Sequence, residues 1–531
     1  MNIYTQIKNA NTHNMDRNAL SMNMDSGEIS KITYSNMFSK VEKTASELVQ
    51  LGLIPGDKVA IIAENSPEWV ITYLALAKIN CTSVLIDASL SQIETHQLLA
   101  TSDVVLALIS PKILEKMDFQ GNDLALANIY DIKTPFEGYS SVLKKSEQAL
   151  GNRDETIANI IFSSGTTRKA AGIMHTHESM LRSTEMCLNE INMRKDEERF
   201  LSLIPLSHIY GIVCTLIGPL LIGAEIRFVE TLTRIGILAI FAEYKPTIFP
   251  AVPKMLELFS SQIKRKISSD KKTKVLFDLF FPVCYFLRKH FNINLGKTLF
   301  KSVHAGFGGA LDIICSAGAP LDKETADFYF GCGLNVLITY GATETNIPTL
   351  GNLRHNITTD SCGQPYPDVS VKLSDSGEIL IKSPYMMKGY YNDAESTAAA
   401  FDDGWFLTGD IAVVDEKGFY HITGRVKDSI VLSTGKKVAP DSIEAFYSNI
   451  AGVLEFVICG VPTVYGGSDE VHAFIVAEQD AIHDGIKKAI HEIGTTLSAN
   501  MKIMRIHFVE SIPRTSLQKP KRYLLRASLT A

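Results

Sequence analysis

The sequence predicts an α/β fold: a large N-terminal domain of layered α/β subdomains with a small β subdomain, then a small α+β domain at the C-terminus. Three observations predict it. Through the first part of the chain, short apolar runs alternate with segments of helical spacing, the pattern of crossover connections over a largely parallel, buried sheet. Beyond Gly363, strand-like runs follow one another with only turn residues between them, which suits antiparallel pairing. And a chain of 531 residues exceeds what one hydrophobic core usually serves, so it divides into domains.

The elements follow in order. Tyr34 to Leu51 has helical spacing, Asp57 to Ile62 is a short apolar strand, Pro67 to Ala77 is helical again, and Ser83-Val84-Leu85-Ile86 is the next strand. Ile157 to Ile161, Leu201 to Pro205 and Glu225 to Val229 continue the strand series. Residues 261–309 change character: a basic segment (Lys264, Arg265, Lys266, Lys271, Lys272, Lys274) leads into Phe277, Phe280, Phe281, Tyr285 and Phe286. This stretch is expected to be an inserted helical element outside the sheet core. Val369 to Leu373 and Glu378 to Ile381 belong to the antiparallel subdomain, and Gly424 to Asp428 forms a short polar joint. After it, strands at Phe456 to Ile458 and Ala473 to Val476 and a helix from Ala481 to Ala499 make a separate unit. The domain boundary is therefore expected at Lys427, dividing residues 1–426 from 427–531.

Composition excludes several functions. A formal charge of −6 leaves no basic footprint for nucleic acid. The eight cysteines are scattered without CxxC pairs, as expected of reduced thiols in a cytoplasmic protein and not of a zinc site or a disulfide framework. The N-terminus is polar, with no apolar segment of the signal-peptide kind. No run of about 18 uncharged apolar residues predicts a spanning helix. Val275 to Phe291 comes nearest, but Asp278, Pro282, Arg288 and Lys289 interrupt it, and a buried or interfacial helix is expected there.

Chemistry concentrates in Ser163-Ser164-Gly165-Thr166-Thr167-Arg168-Lys169-Ala170-Ala171-Gly172, which follows the apolar run Ile157 to Ile161. A strand that breaks into hydroxyls and glycines frees backbone N–H groups and side-chain oxygens to surround a phosphate chain. The spacing is not that of a Walker A loop. Alone, such a loop is as often a surface turn, and four further stretches decide between the two. Ser316-Ala317-Gly318-Ala319-Pro320 follows an apolar strand and offers backbone groups to a purine. Tyr340-Gly341-Ala342-Thr343-Glu344 ends another strand with a flat ring, a hydroxyl and a carboxylate suited to Mg²⁺, which favours oxygen ligands. Trp405 to Asp410 puts a carboxylate just after a strand, within reach of ribose hydroxyls, and Pro513 to Lys519 carries a lysine on a mobile C-terminal segment.

Together and in this order these stretches closely resemble the adenylate-forming (AMP-binding) superfamily: acyl-CoA synthetases, peptide-synthetase adenylation domains and beetle-type luciferases. The resemblance runs from about Tyr34 to Leu525 and includes Gly389-Tyr390-Tyr391-Asn392, Asp403-Gly404-Trp405 and Gly424-Arg425. It implies an adenylation domain followed by a mobile C-terminal domain, and a two-step ligase. A carboxylate attacks the α-phosphate of ATP, and a thiol then displaces AMP. Ser164, Gly165, Thr166 and Thr167 would hold phosphates, with Thr167 and Glu344 positioning Mg²⁺. Gly318, Ala319, Pro320, Tyr340 and Gly341 would border the adenine, Thr343 the α-phosphate, and Asp410 and Arg425 the ribose side. Lys519 matches the lysine that bridges carboxylate and phosphate, His208 matches an aromatic gate beside the acyl carboxylate, and Lys427 matches the hinge. Gly435, in Leu432 to Lys437, would face the thiol tunnel.

The sequence departs from the family at two places. Where the phosphate loop usually continues Gly-Leu-Pro-Lys-Gly, Arg168-Lys169-Ala170-Ala171-Gly172 stands; the lysine position is Ala171, and Arg168 or Lys169 is expected to supply the charge. Gln518 replaces the glycine usual before the terminal lysine. The insertion at about 261–309 resembles the corresponding region of long-chain fatty acyl-CoA synthetases, so a medium- or long-chain fatty acid and CoA are the expected substrates. Its basic and aromatic content also suits peripheral contact with a membrane, against the plainer expectation of a packed helical insert. Two competitors stand beside this expectation: transfer to the pantetheine arm of an acyl carrier protein, and a degenerate nucleotide or acyl binder.

Overall fold

A computed structural model describes residues 2–24, 26–119, 124–133, 143, 154–162, 171–229, 234–346, 348–432, 437–447, 450–463, 468–498, 501–515 and 518–529. The described residues pack as two compact units, the first formed within 2–162, 171–369 and 383–399, the second within 370–382 and 400–529. Packing thus assigns the antiparallel strands that precede Lys427 to the second unit.

Among its described residues the first unit holds two large sheets. One has the strand order Gly389–Tyr390, Gly172–Thr176, Ile157–Phe162, Thr82–Leu85, Lys58–Ile62, Leu106–Ile109, Ala125–Asn128. From Ile157–Phe162 onward the neighbours are parallel, as the alternating pattern predicts. The other sheet runs Gln364–Pro365, Leu350–Gly351, Asn335–Tyr340, Ile313–Ser316, Ile248–Ala251, Arg199–Leu201, Glu225–Val229, Asn18–Asn23, Ile29–Thr33, parallel in its middle and antiparallel at both edges. The parallel strands are largely buried, as expected of a sheet covered on both faces. Lys58–Ile62 and Ile313–Ser316 are buried throughout.

Helices begin where the sequence offers a cap. Thr33 accepts the Asn36 N–H to start Tyr34–Gln50, and Ser66, followed by Pro67, accepts the Trp69 N–H to start Pro67–Lys78. The strand expected at Leu201–Pro205 lies earlier, at Arg199–Leu201. The chain leaves the sheet after Ser202 donates to the Arg227 carbonyl at 2.9 Å, and Pro205 has no N–H with which to extend the ladder. The inserted region is helical as expected, built mainly of Pro253–Ser269 and Lys271–Phe291. No helix among the described residues is long and apolar enough to cross a membrane.

The second unit contains a five-stranded antiparallel sheet of Ser370–Leu373, Glu378–Lys382, Phe401–Asp402, Trp405–Val414 and Tyr420–Arg425. Its C-terminal part pairs Val453–Pro462, Asp469–Ala477 and Arg505–Phe508, with the helix His483–Thr496. Ile458, Ile475, Ile486 and Ile490 share the core there. None of the eight cysteines forms a disulfide.

Candidate active site

Two loops leave neighbouring parallel strands at their carboxyl ends, the position at which α/β sheets bind ligands. Ile313–Ser316 pairs with Asn335–Tyr340, Ser316 opposite Ile338. The first strand continues into Ala317-Gly318-Ala319-Pro320 and the second into Gly341-Ala342-Thr343-Glu344. Strand pairing thus brings together the residues expected to border a purine and those expected at a phosphate. Gly318 has φ +90°, a conformation that lets the chain turn sharply without a Cβ clash.

Thr343–Thr345 forms a single 3₁₀ turn. The Thr345 hydroxyl fixes it by accepting the Ala342 N–H at 3.0 Å. The Glu344 carbonyl accepts the Met387 N–H at 2.8 Å, and its carboxylate accepts the Tyr390 hydroxyl at 3.1 Å. Burial, and then the carboxylate beside it, raise the Tyr390 pKa, so this phenol remains a donor. Tyr390 lies in the Gly389-Tyr390 stretch named from sequence; its role in orienting Glu344 has no local sequence signal.

His208 is the residue before the short helix Ile209–Ile212, and its Nε2 lies 2.8 Å from Asp87 Oδ2, the two side chains 12% and 10% exposed. Asp87 follows the strand Thr82–Leu85 in the first sheet, so this contact joins the two sheets' loops. Three features hold the His208 loop in place. Asn65 donates to the Ile204 carbonyl at 2.7 Å and accepts the Leu206 N–H at 2.9 Å. Tyr210 donates its hydroxyl to the Cys315 carbonyl at 2.7 Å. Gly211 approaches so closely that a Cβ there would lie 2.1 Å from the Pro205 carbonyl oxygen. Asp87 and Asn65 were not legible as site residues.

In the second unit Asp410 lies within the strand Trp405–Val414, not just after a strand as expected. The register shifts immediately beyond it, between Ile411 and Ala412, and such irregularities re-aim side chains. Arg425 sits opposite Asp410 across the ladder and donates from Nε to Oδ1 at 2.8 Å. Lys519 is partly buried in a turn closed by Thr515 N–H to the Lys519 carbonyl at 2.9 Å and Gln518 N–H to the Thr515 carbonyl at 2.8 Å. Gln518 adopts φ +65°, so the turn forms with glutamine in the conformation that favours glycine. Arg514 steadies it by donating to Glu455 and, at 2.8 Å, to the Gln518 carbonyl. Lys427 is exposed in a turn; its neighbour Asp428 lies 3.8 Å from Arg522, which also donates to Glu444 at 2.8 Å.

Ser164, Gly165, Thr166, Thr167, Arg168, Lys169 and Gly435 lie outside the described residues. Among the described residues no cluster of three or more His, Cys, Asp or Glu is arranged for a metal. A lone Glu344 carboxylate still fits Mg²⁺, which is commonly held by one or two carboxylates with waters and substrate phosphates.

A family model described as AMP-binding enzyme matches residues 7–391. The chain belongs to this family. It is an adenylate-forming enzyme that resembles fatty acyl-CoA synthetases. A long-chain-fatty-acid–CoA ligase of Bacillus subtilis is 26% identical over 536 residues, covering 92% of this chain and 88% of the relative. A long-chain-fatty-acid–CoA ligase of Mycobacterium tuberculosis is 25% identical, covering 94% of each. Among solved structures, a benzoate CoA ligase of Burkholderia xenovorans LB400 superposes with a TM-score of 0.76 at 20% identity, covering 99% of this chain and 100% of that one. This AMP-binding enzyme therefore has the α/β architecture expected from its sequence.

Proposed function

We propose that this enzyme joins a carboxylic acid to CoA in two steps, with a medium- or long-chain fatty acid as the acid. The carboxylate attacks the α-phosphate of ATP, forming the acyl-adenylate and releasing pyrophosphate; the CoA thiol then attacks the acyl carbonyl and AMP leaves. The observation that carries this reading is the pairing of strands Ile313–Ser316 and Asn335–Tyr340, which puts the 317–320 and 341–344 loops side by side. Near-full-length coverage by relatives named as fatty-acid ligases supports the acyl class. The benzoate ligase of the same fold makes aromatic acids the alternative to be tested.

Each residue has a part in this scheme. Thr343 donates its hydroxyl to the α-phosphate as charge builds there, where preorganised donors contribute most. Gly318, Ala319, Pro320, Tyr340 and Gly341 border the adenine, and Asp410 accepts the ribose hydroxyls beside Arg425. His208, oriented by Asp87, lies against the acyl carboxylate. Lys519 bridges carboxylate and phosphate as a point charge. The phosphate loop 164–169 cradles the leaving pyrophosphate, and Gly435 lets the chain approach the thiol. Glu344 and Thr167 would hold Mg²⁺, which when bound neutralises charge on the phosphates. A swing about Lys427 between the two steps exchanges the groups that face the substrate. Eight cysteines with no disulfide among them suit a cytoplasmic setting, with peripheral contact at a membrane.

The altered loop Arg168-Lys169-Ala170-Ala171 favours one second reading, a binder that no longer turns over. Pyrophosphate release across fatty and aromatic acids, with CoA or a pantetheinylated carrier protein as acceptor, separates these. Fatty-acid-dependent AMP and acyl-CoA are the expected products. ADP as product would end the adenylation reading, and no acid-dependent pyrophosphate at all would leave the binder.

A further inference from the structure

The helix Lys271–Phe291 carries two apolar faces. One packs inward: Phe281 stacks on Phe277 and on Phe328, Tyr285 meets the edge of Phe330, Cys284 is buried, and Arg288 donates to the Leu334 carbonyl at 2.9 Å. Gly331 makes this fit available, since a Cβ there would lie 2.5 Å from the Phe281 ring. On the opposite side Val275, Leu276, Leu279, Val283 and Phe286 recur at helical spacing and are each 50% to 65% exposed. A helix on a protein surface ordinarily turns charged residues outward. This one turns a continuous apolar stripe outward, the kind of patch that marks an interaction surface.

Charge identifies the occupant. Lys271, Lys272 and Lys274 stand at one end of the stripe and Lys289 and His290 at the other. Residues 261–301 hold ten Lys and Arg against two Asp in a chain whose net charge is −6. Because both ends are basic, a second copy docking through this stripe would bring cation against cation in either orientation. An anionic lipid surface meets both requirements: acyl chains receive the apolar side chains while headgroups pair with the lysines. The helix is about 30 Å long and does not qualify as a membrane span, so it lies along the interface.

We propose that Lys271–Phe291 docks this enzyme, in the plane of the interface, on membranes rich in anionic phospholipid. For its purpose this rests on the fatty-acid reading, because a fatty acid partitions into the bilayer and docking puts the enzyme where its substrate is. The geometry of docking does not depend on that reading.

The test is flotation of the full chain, without substrate, on vesicles of phosphatidylcholine alone and of phosphatidylcholine mixed with phosphatidylglycerol. Two variants are compared: Leu279→Gln with Val283→Gln and Phe286→Gln, and Lys271→Gln with Lys272→Gln and Lys274→Gln. Wild type is expected to float with the anionic vesicles, and each triple variant to bind at least about tenfold more weakly. The loss in the lysine variant should match that caused by raising salt. All positions face solvent, and near-ultraviolet circular dichroism checks that both variants are folded. No flotation of wild type, flotation unchanged in both variants, or a dimer in light scattering that the apolar variant dissolves would each overturn docking on lipid. Pyrophosphate release separates this from the substrate reading. A chain that floats but activates only aromatic acids keeps the docking and loses the fatty acid, whereas one that activates fatty acids without floating does the reverse.

Discussion

Two buried histidines should make the first unit acid-labile. His175 lies in the strand Gly172–Thr176, fully buried, and His177 opens the helix His177–Ile191. None of their four ring nitrogens has a hydrogen-bond partner among the described residues. Burial holds the His175 pKa down to about 3 and that of His177 to about 4; the positive end of its helix acts on His177 in the same direction. The unfolded chain titrates near 6.5, so as pH falls below that value the unfolded state takes up protons that the folded state refuses. Stability is therefore intact above about pH 6.5 and is lost progressively down to the folded values. Each histidine costs about 1.4 kcal/mol per pH unit in that window. Going from about pH 7.5 to 5.5, the pair removes roughly 3 kcal/mol, a large share of the 5–15 kcal/mol of an ordinary domain. The chain has two tryptophans, and Trp69 is buried in the first unit. In a Trp405→Phe background, urea unfolding followed by Trp69 fluorescence reports that unit alone. Replacing each histidine by glutamine should remove about half of the pH slope, and both together most of it. An unchanged slope in the double variant would refute the argument, whatever its absolute stability.

Three further outcomes are expected. Asp87→Ala should slow adenylation by about 10–100-fold, the range known for carboxylates that orient metal-bound histidines, while thioester formation from supplied acyl-adenylate changes less; equal effects on both steps would deny His208 its role beside the carboxylate. Lys519→Ala should depress adenylate formation by roughly 10²–10³ and spare the second step, measured with the same pair of half-reactions. Neutralising Arg168 and Lys169 together should raise the ATP requirement and slow ATP–pyrophosphate exchange, with partial recovery on Ala171→Lys; if exchange is unchanged, those cations are a solvated turn worth at most about 1 kcal/mol.

What was legible in the sequence follows from the range of the forces involved. Glu225–Val229 was read to the residue because Ile226, Phe228 and Val229 give it the β-branched and aromatic character of a strand. The N-terminal hairpin Asn18–Asn23 with Ile29–Thr33 was missed because much of its surface is polar. It is held by its ladder with Glu225–Val229 and by Arg227, buried and donating to Ser21 at 2.7 Å and to Asn23 and Glu243 at 2.9 Å. No window of sequence contains that network. The site divides the same way. Tyr340, Thr343 and Glu344 announce themselves because one strand end presents all three. Asp87 stands 121 residues from His208 in a run, Ile86-Asp87-Ala88, with no local mark of function. Gln518 teaches the converse. A residue that replaces the glycine usual in the terminal turn is held at φ +65° by hydrogen bonds from both sides of it, and a left-handed glutamine costs only about 1–2 kcal/mol. Local propensity can therefore be outvoted wherever several fixed partners agree. A contact that orients a catalytic group, made by residues far apart in the chain, has no propensity to read at all.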